Sequence, residues 1–154
     1  SQWRWENGSV EMATEPLDLE SLLRDGDRDP SPSRLFPVDT RIGHVHLQVA
    51  DVEQAVSFYH GAVGFDVTAR WEGAAFLAAG GYHHHLGLNS WASRGAPPAP
   101  EGSAGLESFV IRVPQSEDLS TLALRLEAVG APVRREDGIL RARDPWNVEV
   151  QLTR

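Results

Sequence analysis

The chain has 154 residues, 41% of them hydrophobic, with 14 basic and 22 acidic residues and a formal charge of −8. That is the size and composition of one globular domain. An acidic chain gains nothing from counterion release on a phosphate backbone, which argues against nucleic acid as a partner. No apolar run is long enough to span a bilayer, and no basic amphipathic stretch suits a membrane surface.

Cysteine is absent. Disulfides, thiolate nucleophiles and sulfur-ligated zinc are thereby removed, and the composition fits a cytoplasmic protein. All fourteen basic residues are arginine, so neither a Schiff-base lysine nor a phosphate-loop lysine exists. The remaining chemistry is that of histidine, carboxylate, hydroxyl and a metal ion.

Residues 1–40 differ from the rest and read as an N-terminal extension or inter-domain linker. A short strand is expected near Val10 to Ala13, a turn or two of helix at Leu17 to Leu23, and a linker through the polar stretch at residues 24–34. From Arg41 the pattern sharpens. "IGHVHLQV" alternates, placing His44, His46 and Gln48 on one strand face and Val45, Leu47 and Val49 on the other. Asp51 is placed to N-cap a helix with Val52, Ala55, Val56 and Tyr59 at helical spacing, and Gly64 to end it. Three short strands follow, in "FDVTARW", "AAFLAAG" and "YHHHLGLN". A proline-rich connector, "GAPPAPEG", then leads to a second copy of the same pattern. "GLESFVIRVP" reads as a strand, "SEDLSTLALRLEAVG" as an amphipathic helix with Leu119, Leu122, Ala123 and Leu126 inward, and three more strands close the chain. "DPW" at 144–146 reads as a turn before the last strand.

Aligning the copies pairs His44 with Ser108, Val49 with Val113 and Gly64 with Gly130, the two intervals differing by two residues. The expected fold is α+β: paired βαβββ modules, residues 41–94 and 105–154, forming a curved, cup-shaped mixed sheet with helices on its outer face.

"IGHVHLQVADVEQAVSFYHGAVGFDV", "AAFLAAGGYHHHLGLNSW" and "DPWNVEVQL" together resemble the vicinal oxygen chelate superfamily, which includes glyoxalase I, bleomycin-resistance proteins and extradiol dioxygenases. The resemblance covers residues 41–154 and is nearest to bacterial catechol-2,3-dioxygenase-like proteins. It implies a divalent metal in the cup, iron or manganese, with zinc or nickel as alternatives. Two histidines and a carboxylate would hold it. Carried over by position, the ligand slots fall on His44, Ser108 and Gln151. Related sequences have histidine at the second slot and glutamate at the third. One ligand of three matches, which implies a degenerate site or, as the alternative, no metal in this chain. Glu149, two residues before Gln151, would need a bulge to reach the slot, and His46 stands in the same relation to His44.

The resemblance further implies an acid–base histidine at His84, with Tyr82 on the same strand face as a hydrogen-bond donor. Strand alternation then turns His83 and His85 away from the cup. Asn89 and Trp91 follow as candidates for contact with a flat aromatic ligand, or as rim packing. The alternative for His44 and His46 is hydrogen bonding within a polar cavity.

Two functions follow as expectations. One is a metal-dependent extradiol-type dioxygenase acting on a small aromatic or vicinal-oxygen molecule. The other is a non-catalytic, small-molecule-binding or structural half of a two-domain dioxygenase. The segment "WRWENGSVEMATEPLDLESLL" is similar to the one that joins domains in the family, and the chain opens on Ser1. The expected partner is therefore either a second copy or an N-terminal domain outside this sequence.

Overall fold

The computed structural model describes residues 3–13, 16–25, 38–100, 102–113 and 116–154. Most of the expected linker at 24–34 lies outside them. The first elements form a short hairpin, β1 (Trp5–Glu6) and β2 (Ser9–Val10), followed by α1 (Leu19–Asp25). Asp18 caps α1, its Oδ1 accepting from Ser21 N at 3.0 Å. The hairpin is not adrift. Val10 is buried, β2 lies beside the first module, and the Trp3 ring stacks on His83 with centroids 3.9 Å apart.

The first module runs β3 (Val45–Gln48), α2 (Val52–Val56), β4 (Asp66–Trp71), β5 (Ala74–Ala78) and β6 (Leu86–Asn89). Asp51 caps α2 as its sequence position predicts, accepting from Gln54 N at 3.0 Å. The helix then widens into a π-helical segment, Ser57–Val63, and ends at Gly64 in the left-handed region, φ 102°. A residue with a Cβ is strained there, which is why glycine marks the stop.

The second module repeats the order: β7 (Ser108–Arg112), α3 (Ser116–Ala128), β8 (Val133–Glu136), β9 (Ile139–Arg143) and β10 (Glu149–Thr153). Each module builds a four-stranded mixed sheet, in the orders β3-β6-β5-β4 and β7-β10-β9-β8. In both, the strand before the helix pairs in parallel with the last strand, and the other pairings are antiparallel. The duplication read from the sequence is therefore the architecture. A detail differs: among the described residues the two sheets share no ladder, so the modules join through side chains and not through one continuous sheet.

That joint is hydrophobic on the helical side. Leu47, Leu77, Leu86 and Leu88 of the first sheet share one core with Leu140, Val150 and Leu152 of the second, and Tyr59, Ala62, Leu122 and Leu126 fill it from the helices. Burying a leucine side chain contributes roughly 1.5–3 kcal/mol, so this shared core dominates the association of the two halves. Two polar links pin it. The Tyr59 hydroxyl donates to Asp144 Oδ2 at 2.8 Å, across 85 residues of sequence. Arg125 of α3 reaches the carbonyl of Val63 at 3.4 Å, at the end of the π segment where backbone acceptors lack helical partners. Alternation then does the rest. With Val45, Leu47 and Val49 turned to the core, His44, His46 and Gln48 must face the opposite side.

Candidate functional site

On the inner face of the first module, four imidazoles converge. One ring nitrogen from each of His44, His83 and His84 lies within 4.8 Å of the other two. The His46 Nε2 is 3.2 Å from the Nε2 of His84, so one of the two rings donates to the other. His46 lies flat over Gly87, its neighbour across the ladder: a Cβ there would stand 2.8 Å from the His46 Cε1. Phe76 closes the back of the cluster, its ring 5.1 Å from that of His84 and 6.4 Å from that of His46.

The cluster corrects one expectation. Residues 82–85 are not a pleated strand, since β6 begins only at Leu86. Gly80 and Gly81 both take positive φ and turn the chain, and the Thr68 hydroxyl holds the carbonyl of His83 at 2.7 Å. Strict alternation is lost, and His83 joins His84 beside His44 instead of pointing away. His85 does leave the cluster: its Nδ1 accepts from Ala79 N at 3.2 Å. Tyr82 packs against His83, His85 and Trp3.

Burial disfavours the charged form of His46, His83 and His84. The pKa of His84 is lowered to about 4, first by burial and then by the neighbouring imidazoles. His83 and His46 are lowered for the same reasons, burial first. Neutral imidazole is the metal-binding form. Among the described residues, the Nδ1 atoms of His83 and His84 are buried without a hydrogen-bond partner.

The second module's inner face is built differently. Ser108 and Glu149 are cross-strand neighbours, and Gln151 sits opposite Val110 and Arg141. Glu149 is not available to a metal. Its carboxylate accepts from Gln151 Nε2 at 2.8 Å and from Arg141 Nη1 at 2.9 Å, with Arg134 at 3.5 Å and Arg143 at 4.0 Å. Gln151 first, and the arginines after it, hold its pKa below the ordinary carboxylate value. The bulge that would carry Glu149 into the ligand slot does not form, because β10 keeps unbroken register with both neighbours. The set His44, Ser108 and Gln151 therefore does not fit an iron or manganese centre. It contains one strong donor and no free carboxylate, and three guanidinium groups stand beside it.

Between the modules lies a cleft of about 1180 Å³, lined by His46, Gln48, Glu107, Arg143 and Trp146 together with the proline-rich connector. Of the residues singled out from the sequence, His46 lines it. Asn89 ends β6 across from Gln48. Trp91 is exposed, its indole N–H donating to the carbonyl of Glu72 at the β4–β5 turn. Arg143 and Trp146 were not foreseen as lining residues. The only signal for them was the "DPW" turn, which Arg143 precedes and Trp146 completes.

Residues 41–152 match the family described as Glyoxalase/Bleomycin resistance protein/Dioxygenase superfamily. The chain belongs to that superfamily. It is 39% identical over 148 residues to the catechol-2,3-dioxygenase of Bacillus subtilis, a match that covers 94% of this chain and 51% of that protein. It is also 27% identical over 96 residues to the glutathione transferase FosA of Serratia marcescens, covering 62% of this chain and 64% of that one. The chain thus spans about half the length of the first of these relatives and under two thirds of the second. Among solved structures, a glyoxalase/bleomycin resistance protein/dioxygenase domain from Frankia sp. EAN1pec superposes with a TM-score of 0.56 at 24% identity, covering 73% of this chain and 95% of that one. An antibiotic-binding protein from Streptomyces sp. CB03234 gives 0.52 at 21%, covering 77% and 98%. These last two likenesses speak for the fold alone. No helix among the described residues is long and apolar enough to cross a membrane.

Proposed function

We propose that this chain is a catechol-2,3-dioxygenase-like domain that binds a small aromatic or vicinal-oxygen molecule in the cleft between its modules, and that its cross-module metal triad has been given up. The observation that carries this reading is the tie between Glu149 and Arg141, with Gln151 and Arg134 completing it. A divalent cation placed there would face guanidinium charge and compete with it for Glu149. An anionic ligand meets the opposite field. Arg143 lines the cleft with Trp146 beside it, a cation and an aromatic face suited to a catecholate or an aromatic carboxylate.

Titration of the 15N-labelled chain with catechol and with its carboxylated counterpart, followed by amide shifts, tests the reading. Saturable shifts at the cleft are expected, with the carboxylate binding tighter. Arg143→Gln should weaken that ligand roughly tenfold, the scale of one charge-assisted hydrogen bond. Absence of saturable shifts for every ligand of this class up to millimolar concentration sinks it. A second reading, a metal-dependent extradiol-type dioxygenase, is favoured by the imidazole cluster and by the 39% identity. Oxygen uptake with catechol after anaerobic loading with Fe²⁺ separates the two.

A further inference from the structure

We propose that the first module alone carries a metal site made of His44, His83 and His84, selective for a borderline divalent ion of the zinc, nickel and copper class. Every ligand comes from one module: His44 is shared with the cross-module set, and His83 and His84 stand in place of Ser108 and Gln151. The inference does not depend on what occupies the cleft.

Four observations carry it. The three ligand atoms already lie within 4.8 Å of one another. Around a tetrahedral ion with metal–nitrogen bonds of about 2.05 Å, neighbouring nitrogens stand about 3.4 Å apart, so small side-chain rotations close the site. Secondly, His83 and His84 are 8% and 6% exposed, yet each keeps an Nδ1 with no partner among the described residues. A buried polar atom left unpaired costs on the order of 1–3 kcal/mol, and a metal is one group that relieves two of them at once. Thirdly, His84 is oriented from its far side: its Nε2 is engaged by His46, and His46 is seated on Gly87. Metal-binding imidazoles are habitually fixed through their second nitrogen in this way. Lastly, the donor set is three imidazoles without an oxygen anion. That suits zinc, nickel and copper, whereas manganese and magnesium call for carboxylates.

His44 is exposed, so it completes the site from the solvent side and leaves a fourth position open to water or to another ligand. Trp3 stacks on His83, which places an indole against one ligand ring and supplies a spectroscopic reporter.

The test uses the full chain, stripped with a chelator and titrated with Zn²⁺ against a competing chromophoric chelator. One ion per chain with sub-micromolar affinity is expected. His83→Gln should weaken binding by about 100-fold or more, since losing even an outer-shell partner costs 10–100-fold. Glu149→Gln and Gln151→Ala should leave it within about threefold, because neither is a ligand or an outer-shell partner of this site. His44→Gln, at an exposed position, serves as the variant that cannot fail merely by misfolding, and it too should lose the ion. Cu²⁺ should quench part of the tryptophan emission, and that part should vanish in Trp3→Phe. No saturable one-to-one binding, unaltered affinity in His83→Gln, dependence on Glu149 greater than on His83, or quenching unchanged in Trp3→Phe would each overturn the proposal. All of these readouts are independent of ligand binding in the cleft, so failure here and failure of the proposed function are told apart.

Discussion

The two modules share a topology and differ in the chemistry of their inner faces. Each pairs its first and last strands in parallel and sends its helix to the same side. On the first module's inner face stand imidazoles packed against Phe76 and Gly87. On the second stand Arg134, Arg141 and Arg143 around Glu149, with Glu136 at the edge beside Arg141. The lesson is that the core face fixes how each module folds, while the opposite face is free to diverge. Leucine and valine facing the helices define the sheet whatever points the other way. One inner face has become a cluster of imidazole donors and the other a charged lattice.

The largest effect expected from breaking this arrangement lies at the joint between the halves. Asp144 accepts from Tyr59 in the first module and from the backbone N–H groups of Trp146 and Val148 in the second, all at 2.8–2.9 Å. Asp144→Ala strands one buried and two part-buried donors. A loss of about 3–5 kcal/mol is expected, the scale for removing one partner of a buried charged network. Urea denaturation followed by far-UV circular dichroism measures it. A loss under 1 kcal/mol would mean that the helical core alone holds the modules together. Tyr59→Phe should cost less, since the carboxylate keeps its two backbone donors.

This joint shows how far the sequence could be read. Paired strand–helix–strand patterns, the Asp51 cap, the Gly64 stop and the inward leucines of α3 were all legible, because each follows from local periodicity or backbone sterics. "DPW" was legible as a turn, but its tie to Tyr59 was not, because 85 residues separate the partners. His44 and His84 were legible as neighbours. His83 was not, because alternation holds only while the chain is pleated, and the Gly80–Gly81 turn ends the pleat. Glu149 was seen as a candidate donor. Its capture by arginines from β8 and β9 depends on register between strands, which composition does not disclose.

A smaller effect separates the two inner faces by their response to acid. With its pKa lowered to about 4, His84 binds a proton far less readily when folded than when unfolded, where the ordinary value is 6.5. The unfolded chain therefore takes up more protons across that window, and stability falls as pH drops from about 6.5 towards 4. His83 and His46, also lowered, add in the same direction. Glu149 has a depressed pKa as well, so its contribution is present above the unfolded carboxylate value and is lost below it, at more acid pH. The first module should accordingly soften first on acidification. Melting temperatures of the metal-free chain across pH 4–7 check this, with His84→Gln flattening the slope. A slope unchanged in that variant would place the acid sensitivity elsewhere.

The smallest effect concerns the rim of the charged lattice. Arg134 is well exposed and lies 3.5 Å from Glu149, whereas Arg141 is three-quarters buried and bonds the same carboxylate at 2.9 Å. An exposed ion pair is screened and contributes about 0–1 kcal/mol, so Arg134→Gln should change stability by no more than that. Arg141→Gln should cost more, because it leaves a largely buried Glu149 side chain with Gln151 as its main remaining partner. The ranking of the two variants decides whether Glu149 is held from the interior of the sheet or from its edge. If Arg134→Gln proves the costlier, the carboxylate is anchored at the rim and can be drawn towards the cleft, which would restore it as a donor and narrow the difference between the two modules.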